Sequence, residues 1–361
     1  MRKFFILLLL LPLLVTGAQA AELPGDLIDA APEGAEELLR DAGDWDLSGA
    51  GGFTEGISRL LEQVGGQIGD VVRQRLRGAA SVLLVVVLCG VVENFLQGSG
   101  GRMMPFLPMA GALSVTMLTA GSLDSLIGLG AETIQDLSVF SKALLPTLAA
   151  ATAASGAVTT ATFQQVSTVF FADLLLNLID GLLMPLVYLY IGVMTAASCL
   201  PENRLGAIAD GLKKVLTWML TTSLLVFTVY LSVVRVIAGA ADGAAVKIAK
   251  AAISGVVPVV GGIISEASET VLVGAGLLRN TIGVFGMLAI LAACAYPFLQ
   301  LGVQYLLYKL TAFLAGAFGA PQLCKLIDGL GGAFGLVLGM TGSCALLLLI
   351  SVLSAVAAVT P

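Results

Sequence analysis

The sequence predicts an all-α polytopic membrane protein with about six spans, two further broken or re-entrant segments, and an internal duplication. Three observations carry that reading. Of 361 residues, 58% are hydrophobic and 12% are charged, where a soluble domain carries roughly 25% charged residues. So much apolar surface exceeds what a core of this size can hide, and a bilayer can take it. Apolar runs long enough to span then recur along the chain. Finally, two segments interrupted by proline and glycine stand at corresponding places: Pro146 falls on Pro258, and Pro185 on Pro297, at one shift (258 − 146 = 297 − 185 = 112).

The elements follow in order. Residues 1–20 have two cations, an apolar run over 4–15 and the triplet Ala18-Gln19-Ala20. That is the layout of a signal peptide cleaved before Ala21. Residues 21–52 are acidic, rich in Gly, Ala and Asp, and read as a flexible exposed leader. Over 53–78, Phe53, Ile57, Leu60, Leu61, Val64, Ile68, Val71, Val72 and Leu76 recur at helical spacing, which predicts an exported amphipathic helix. Its apolar stripe needs a partner or a membrane surface, so Phe53, Ile57, Leu61 and Ile68 are candidate docking residues.

The membrane domain occupies 79–361. Spans are predicted at 79–97, 104–123, 215–237, 281–307 and 335–359. A longer span over 164–198 contains Asp173, Asp180 and a kink at Pro185. The segments 145–163 and 256–280 are the broken ones. Asp210-Gly211-Leu212 and Asp328-Gly329-Leu330 read as loops before apolar spans. Together these suggest repeat units near 104–214 and 215–334, with Pro146, Pro185, Pro258 and Pro297 as hinges. If both broken segments return to the side they left, Arg102, Arg204, Lys213, Lys214, Lys309 and Lys325 lie together on the cytoplasmic side, as the positive-inside rule prefers. The mature N-terminus and the acidic stretch 124–136 are then extracytoplasmic. Arg73, Arg75, Arg77, Lys247 and Lys250 run against this orientation.

Irregular backbone at membrane depth is tolerated where it faces protein or water, and paired broken segments point to transport pathways. Ser265, Glu266, Ser268, Glu269 and Thr270 in the second segment, and Thr152, Ser155 and Thr159 in the first, are therefore candidate pathway-lining residues. Glu266 and Glu269 require water, a partner or Arg279, because an ionised carboxylate facing lipid costs about 3 kcal/mol. Glu93, Asp124, Lys142, Asp173 and Asp180 are expected to pair structurally, with Lys142 or Arg235 as cations. An interfacial helix is the alternative for the second segment.

Catalysis is not expected. There is no histidine, which removes the commonest general base and metal ligand. The five cysteines are scattered and read as small buried hydrophobes. Patterns for serine hydrolases, nucleotide-binding loops, dinucleotide folds and intramembrane aspartyl proteases are missing. The reading includes no metal and no cofactor. The net charge of −6 identifies no partner, since half the acids lie in residues 21–78, and no basic cluster points to nucleic acid.

The run KAAISGVVPVVGGIISEASETVLVGAGLLRNTIGVFGML, residues 250–288, resembles the signature region of the stage III sporulation protein AE family. The likeness covers roughly residue 53 to the end and is most specific over 258–286. It implies a role in endospore formation. The protein would sit in the mother-cell membrane around the engulfed forespore, in a channel or feeding-apparatus complex with sister proteins that include a secretion-type ATPase and ring proteins. That complex supports forespore development and late forespore gene expression. No catalytic residues come with the resemblance. The competing readings are a free-standing permease using Glu266 or Glu269, and a structural assembly platform.

Overall fold

The structure is a computed structural model that describes residues 27–28, 30–32, 50–98, 106–199, 204–256, 261–318 and 321–357. The signal peptide and most of the leader lie outside the described residues, as does Pro258. Every described element of any length is helical: α1 (Ala50–Gly98), α2 (Phe106–Ala154), α3 (Val158–Leu178), a π-helical turn (Ile179–Leu183), α4 (Met184–Cys199), α5 (Arg204–Val256), α6 (Gly261–Gly316) and α7 (Pro321–Val356). All six predicted spans lie on these helices. Among the described residues, six stretches are long and apolar enough to cross a membrane, so the chain is a multi-pass membrane protein.

The helices run up and down. Packing is heaviest between α6 and α7, and α1 and α2 lie against α6. On the other side α3, α4 and α5 pack on one another and on α7. The most apolar windows of the spans on α6 and α7 are 67% and 61% buried, whereas those of the other four lie between 18% and 33%. The α6–α7 pair is therefore the core, and the outer helices turn apolar side chains to lipid. Phe95, Met117, Phe170 and Val236 are among the exposed ones.

α2 has 49 residues and α6 has 56. At 1.5 Å per residue, α2 is about 74 Å long, more than twice the hydrocarbon thickness of about 30 Å. The first broken segment is indeed broken, at 155–157, but it does not enter the bilayer and return by itself. It joins two long helices that meet there. Pro146 lies inside α2. A helical proline leaves one carbonyl four residues earlier without its donor. Here that residue is Lys142, which is exposed, so the helix continues. In the second segment, residues 261–280 form the opening turns of α6, which also runs unbroken through Pro297.

Pro185 follows the π-helical turn directly. The wider turn accommodates a ring that an α-helical turn would exclude. Both Asp-Gly-Leu triplets are helical rather than loops, in the second turns of α5 and α7. Asp328 pairs with Lys309 of α6 at 2.5 Å, and the Tyr190 hydroxyl donates to the Gly329 carbonyl at 3.1 Å. The pairing expected of Lys142 is not formed: among the described residues Glu93, Asp124, Asp173 and Asp180 make no ion pair with it. Asp124, Lys142, Asp173 and Asp180 stand exposed instead.

The amphipathic helix forms the first half of α1, and it docks on its own chain. Phe53 and Ile57 pack against the core, and Leu60 and Val71 are buried. Leu61 and Ile68 stay outside, at 65% and 44% exposure. The stripe is too wide for one neighbouring helix to cover.

Two glycines test this packing. A Cβ on Gly90 would stand 2.6 Å from the Phe318 carbonyl oxygen, whereas one on Gly128 meets nothing within 4 Å. Gly90→Ala is expected to destabilise the protein by about 1–3 kcal/mol through overpacking. Gly128→Ala should be neutral or stabilising, by up to about 1 kcal/mol. Thermal unfolding in detergent checks both, and equal midpoints for the two variants would contradict the close approach of α1 to the turn that follows α6.

Candidate functional site

The polar residues that sequence alone singled out in the first broken segment gather at the corner between α2 and α3. α2 ends because Gly156 adopts φ 94°, a left-handed conformation that glycine accepts without a steric cost. Around it the Ser155, Gly156 and Ala157 amides donate to the carbonyls of Ala151, Ala153 and Thr152 at 3.0–3.2 Å. The chain then starts α3 at once, with Ala157 in the cap position. Alanine has no oxygen with which to cap, so the first amides of α3 need an acceptor from elsewhere.

Asp242 of α5 supplies it. The Thr159 and Thr160 amides donate to its two carboxylate oxygens at 2.8 Å each, and the Thr160 hydroxyl donates at 2.6 Å. Asp242 is 7% exposed. Its charge lies at the positive end of the α3 dipole, where an anion is favoured, and three donors compensate its desolvation. A cap normally comes from the residue before the helix; this one comes from more than 80 residues further along the chain.

Arg279 of α6 approaches the same corner. It is 4% exposed. One guanidinium nitrogen donates to Ser155 Oγ at 3.4 Å and another to Asn280 Oδ1 at 3.5 Å, while Nε has no partner among the described residues. The two broken segments thus meet through Arg279 and Ser155. Ser155 Oγ donates onward to the Thr152 carbonyl and Thr152 Oγ1 to the Leu148 carbonyl, both at 2.7 Å. Beside them Gln164 donates to the Ser351 carbonyl, and the Thr168 and Ser351 hydroxyls bond each other. A polar seam therefore runs from the corner down the α3–α7 contact.

A second polar layer lies on the α1 side. Arg75 donates to Gln300 Oε1. One turn along α6, Gln304 is buried, and Tyr308 turns its hydroxyl toward Gln304 and Ser122. Arg75 Nε and Gln304 Oε1 have no partner among the described residues. The sequence reading treated Arg75 as a cation before the first span. The missed signal is its register: Val71 and Ala79, four residues to either side, are both buried, so Arg75 belongs to the inward face.

Of the candidate pathway residues, Thr152 and Ser155 are buried and Thr159 is half-buried. All three stand at the corner. Ser265, Glu266, Ser268, Glu269 and Thr270 lie in the first turns of α6, and their side chains are outside the described residues. Glu269 precedes Arg279 by ten residues on one continuous helix, a separation of about 15 Å. No group of three or more metal-ligating side chains occurs among the described residues. The five cysteines are free and buried or half-buried.

The family model for stage III sporulation protein AE matches residues 48–359, and the chain belongs to that family. It is similar to the stage III sporulation protein AE of Bacillus subtilis (strain 168), at 26% identity over 212 residues. That match covers 59% of this chain and 53% of the Bacillus protein, so the chain spans about half the length of this curated relative. No solved structure matches.

The cap across the corner is open to direct test. Asp242→Ala strands the Thr159 and Thr160 amides and is expected to cost about 1–2 kcal/mol. Asp242→Asn, which keeps an acceptor oxygen, should cost less. Hydrogen exchange should speed up locally, over 158–163, in the alanine variant. Unchanged protection there would show that the carboxylate does not hold α3.

Proposed function

We propose that this member of the stage III sporulation protein AE family is an integral membrane subunit of the sporulation channel or feeding-apparatus complex between mother cell and forespore. In that role it is needed for forespore development and late forespore gene expression. The observation that carries the subunit reading is the filled centre of the bundle. α6 and α7 pack face to face, with Phe285, Tyr308 and Phe334 fully buried. The axis along which a one-chain conduit would run is occupied by side chains. A conduit then has to form between this chain and others, which favours a subunit over a free-standing permease.

The chain is read as non-enzymatic, with energy supplied by a secretion-type ATPase partner and with ring proteins as neighbours. Its place is the mother-cell membrane around the forespore. The exposed apolar residues Leu61 and Ile68 on α1 are the candidate contact with a sister protein. Lys213, Lys214, Lys309 and Lys325 collect at one end of the bundle, which supports a cytoplasmic assignment for that end and an extracytoplasmic one for the start of α1.

Co-purification from sporulating cells is the test. The tagged protein should bring sister proteins with it, and liposomes holding it alone should show no solute flux. Because Leu61 and Ile68 lie outside the core, the pair Leu61→Asp and Ile68→Asp should shift stability by only about 0.5 kcal/mol. Partner recovery should fall by about tenfold, the loss of one apolar hot spot or more. Flux from the lone chain would contradict the subunit reading, and undiminished recovery would contradict the α1 contact.

A further inference from the structure

Between α3 and α5 the outer wall of the bundle is not closed. Phe171 stacks against Phe227 and Tyr230, with ring centroids 5.2 and 5.5 Å apart. Next to that cluster the helices part around a groove of about 310 Å³. Leu174 and Leu178 wall it on α3, and Trp218, Thr222 and Val226 on α5. Leu347 of α7 forms the floor. The π-helical turn at Ile179–Leu183 begins directly after Leu178, where the added residue changes the direction of the wall.

We propose that this groove holds one acyl chain of an anionic phospholipid, with the lipid phosphate at Lys214. Two observations favour that occupant. All three walls belong to stretches apolar enough to span a membrane, so the groove opens to hydrocarbon. The charge at its end is also complementary. Lys214 is exposed and stands one helical turn before Trp218, on the same face. Lys213 instead turns inward, toward Gly332 and Tyr190.

From Lys214 the face continues through Trp218, which is 67% exposed, to Val226, about 12 Å further along α5. A cation, an interfacial indole and an apolar slot in that order match a phosphate, a glycerol level and a chain. The basic end also holds Arg204, Lys213, Lys309 and Lys325, against Asp210 and Asp328, which selects an anionic headgroup over a zwitterionic one.

The protein has two tryptophans, so Trp45→Phe leaves Trp218 as the sole reporter. The full chain is reconstituted with phosphatidylglycerol or phosphatidylcholine brominated in mid-chain, and Trp218 quenching is read. Phosphatidylglycerol should associate about fivefold more strongly, the effect of one lysine near an anionic surface. Lys214→Gln should abolish that preference. Ser223→Phe, which fills the groove, should also remove that preference, while Val236→Phe, exposed and beyond the groove, should leave it intact. Native mass spectrometry of the unaltered protein provides a second readout that needs no variant to fold: bound phosphatidylglycerol should persist. Equal quenching by the two lipids, a preference that survives Ser223→Phe, or no retained lipid would overturn the proposal. Shielding of Trp218 from every brominated lipid would overturn it too, by showing that protein covers the groove.

Discussion

A helix that begins among apolar neighbours must find acceptors for its first amides, and the architecture of this chain depends on how α3 finds them. After the tight turn at Gly156 the cap position falls to Ala157, which has no side-chain acceptor. Asp242 answers from α5, placing a carboxylate against two amides and a hydroxyl. Because each unsatisfied amide in such surroundings costs on the order of a kcal/mol or more, the bond fixes the axial register of α5 against α3. The aromatic contacts of Phe171 with Phe227 and Tyr230 follow from that register. Arg279 reaches the same turn from α6, so one corner positions helices from both sides of the core.

The spans were legible because hydropathy reports lipid exposure directly. The length and continuity of the helices were not. Pro146 and Pro297 look like breaks, yet a proline disturbs one hydrogen bond and a ring's width of space, and a long helix with neighbours on several sides absorbs both. Gly156 was the actual break, and in sequence it does not differ from many glycines that lie within helices. Asp242 was out of reach of any local pattern, since its partners lie more than 80 residues away. Arg75 could have been read, because its spacing from Val71 and Ala79 already placed it on the inward face. The amphipathic stripe on α1 was legible as a stripe, but not as one divided between its own core and the outside.

The division between inner and outer helices bears on what the molecule can do. α6 and α7 are buried on most sides, and they carry much of the buried polarity: Gln300, Gln304, Arg279, Thr341 and Ser351. Polar groups in such a place are costly unless paired. Most of them bond to a neighbouring helix or to their own backbone, which orients the helices without opening a space between them. Arg75 Nε, Arg279 Nε and Gln304 Oε1 are the exceptions among the described residues. Two belong to the layer beside α1 and one to the corner, so the unmet hydrogen-bonding capacity concentrates where α1 and the α2–α3 turn meet the core.

Helix length gives these two places a common setting. A helix of about 74 Å in a hydrocarbon layer of about 30 Å has some 40 Å outside it. Along α5 the corner's Asp242 lies 28 residues beyond Lys214 of the basic end (242 − 214 = 28), about 42 Å at the helical rise. If the basic end sits at one headgroup level, the corner stands clear of the opposite one. The part of the protein that leaves the bilayer is therefore a continuation of its own spanning helices. It is tied at its far end by Asp242 and Arg279, and a load applied to the corner would pass along the helix axes directly into the membrane.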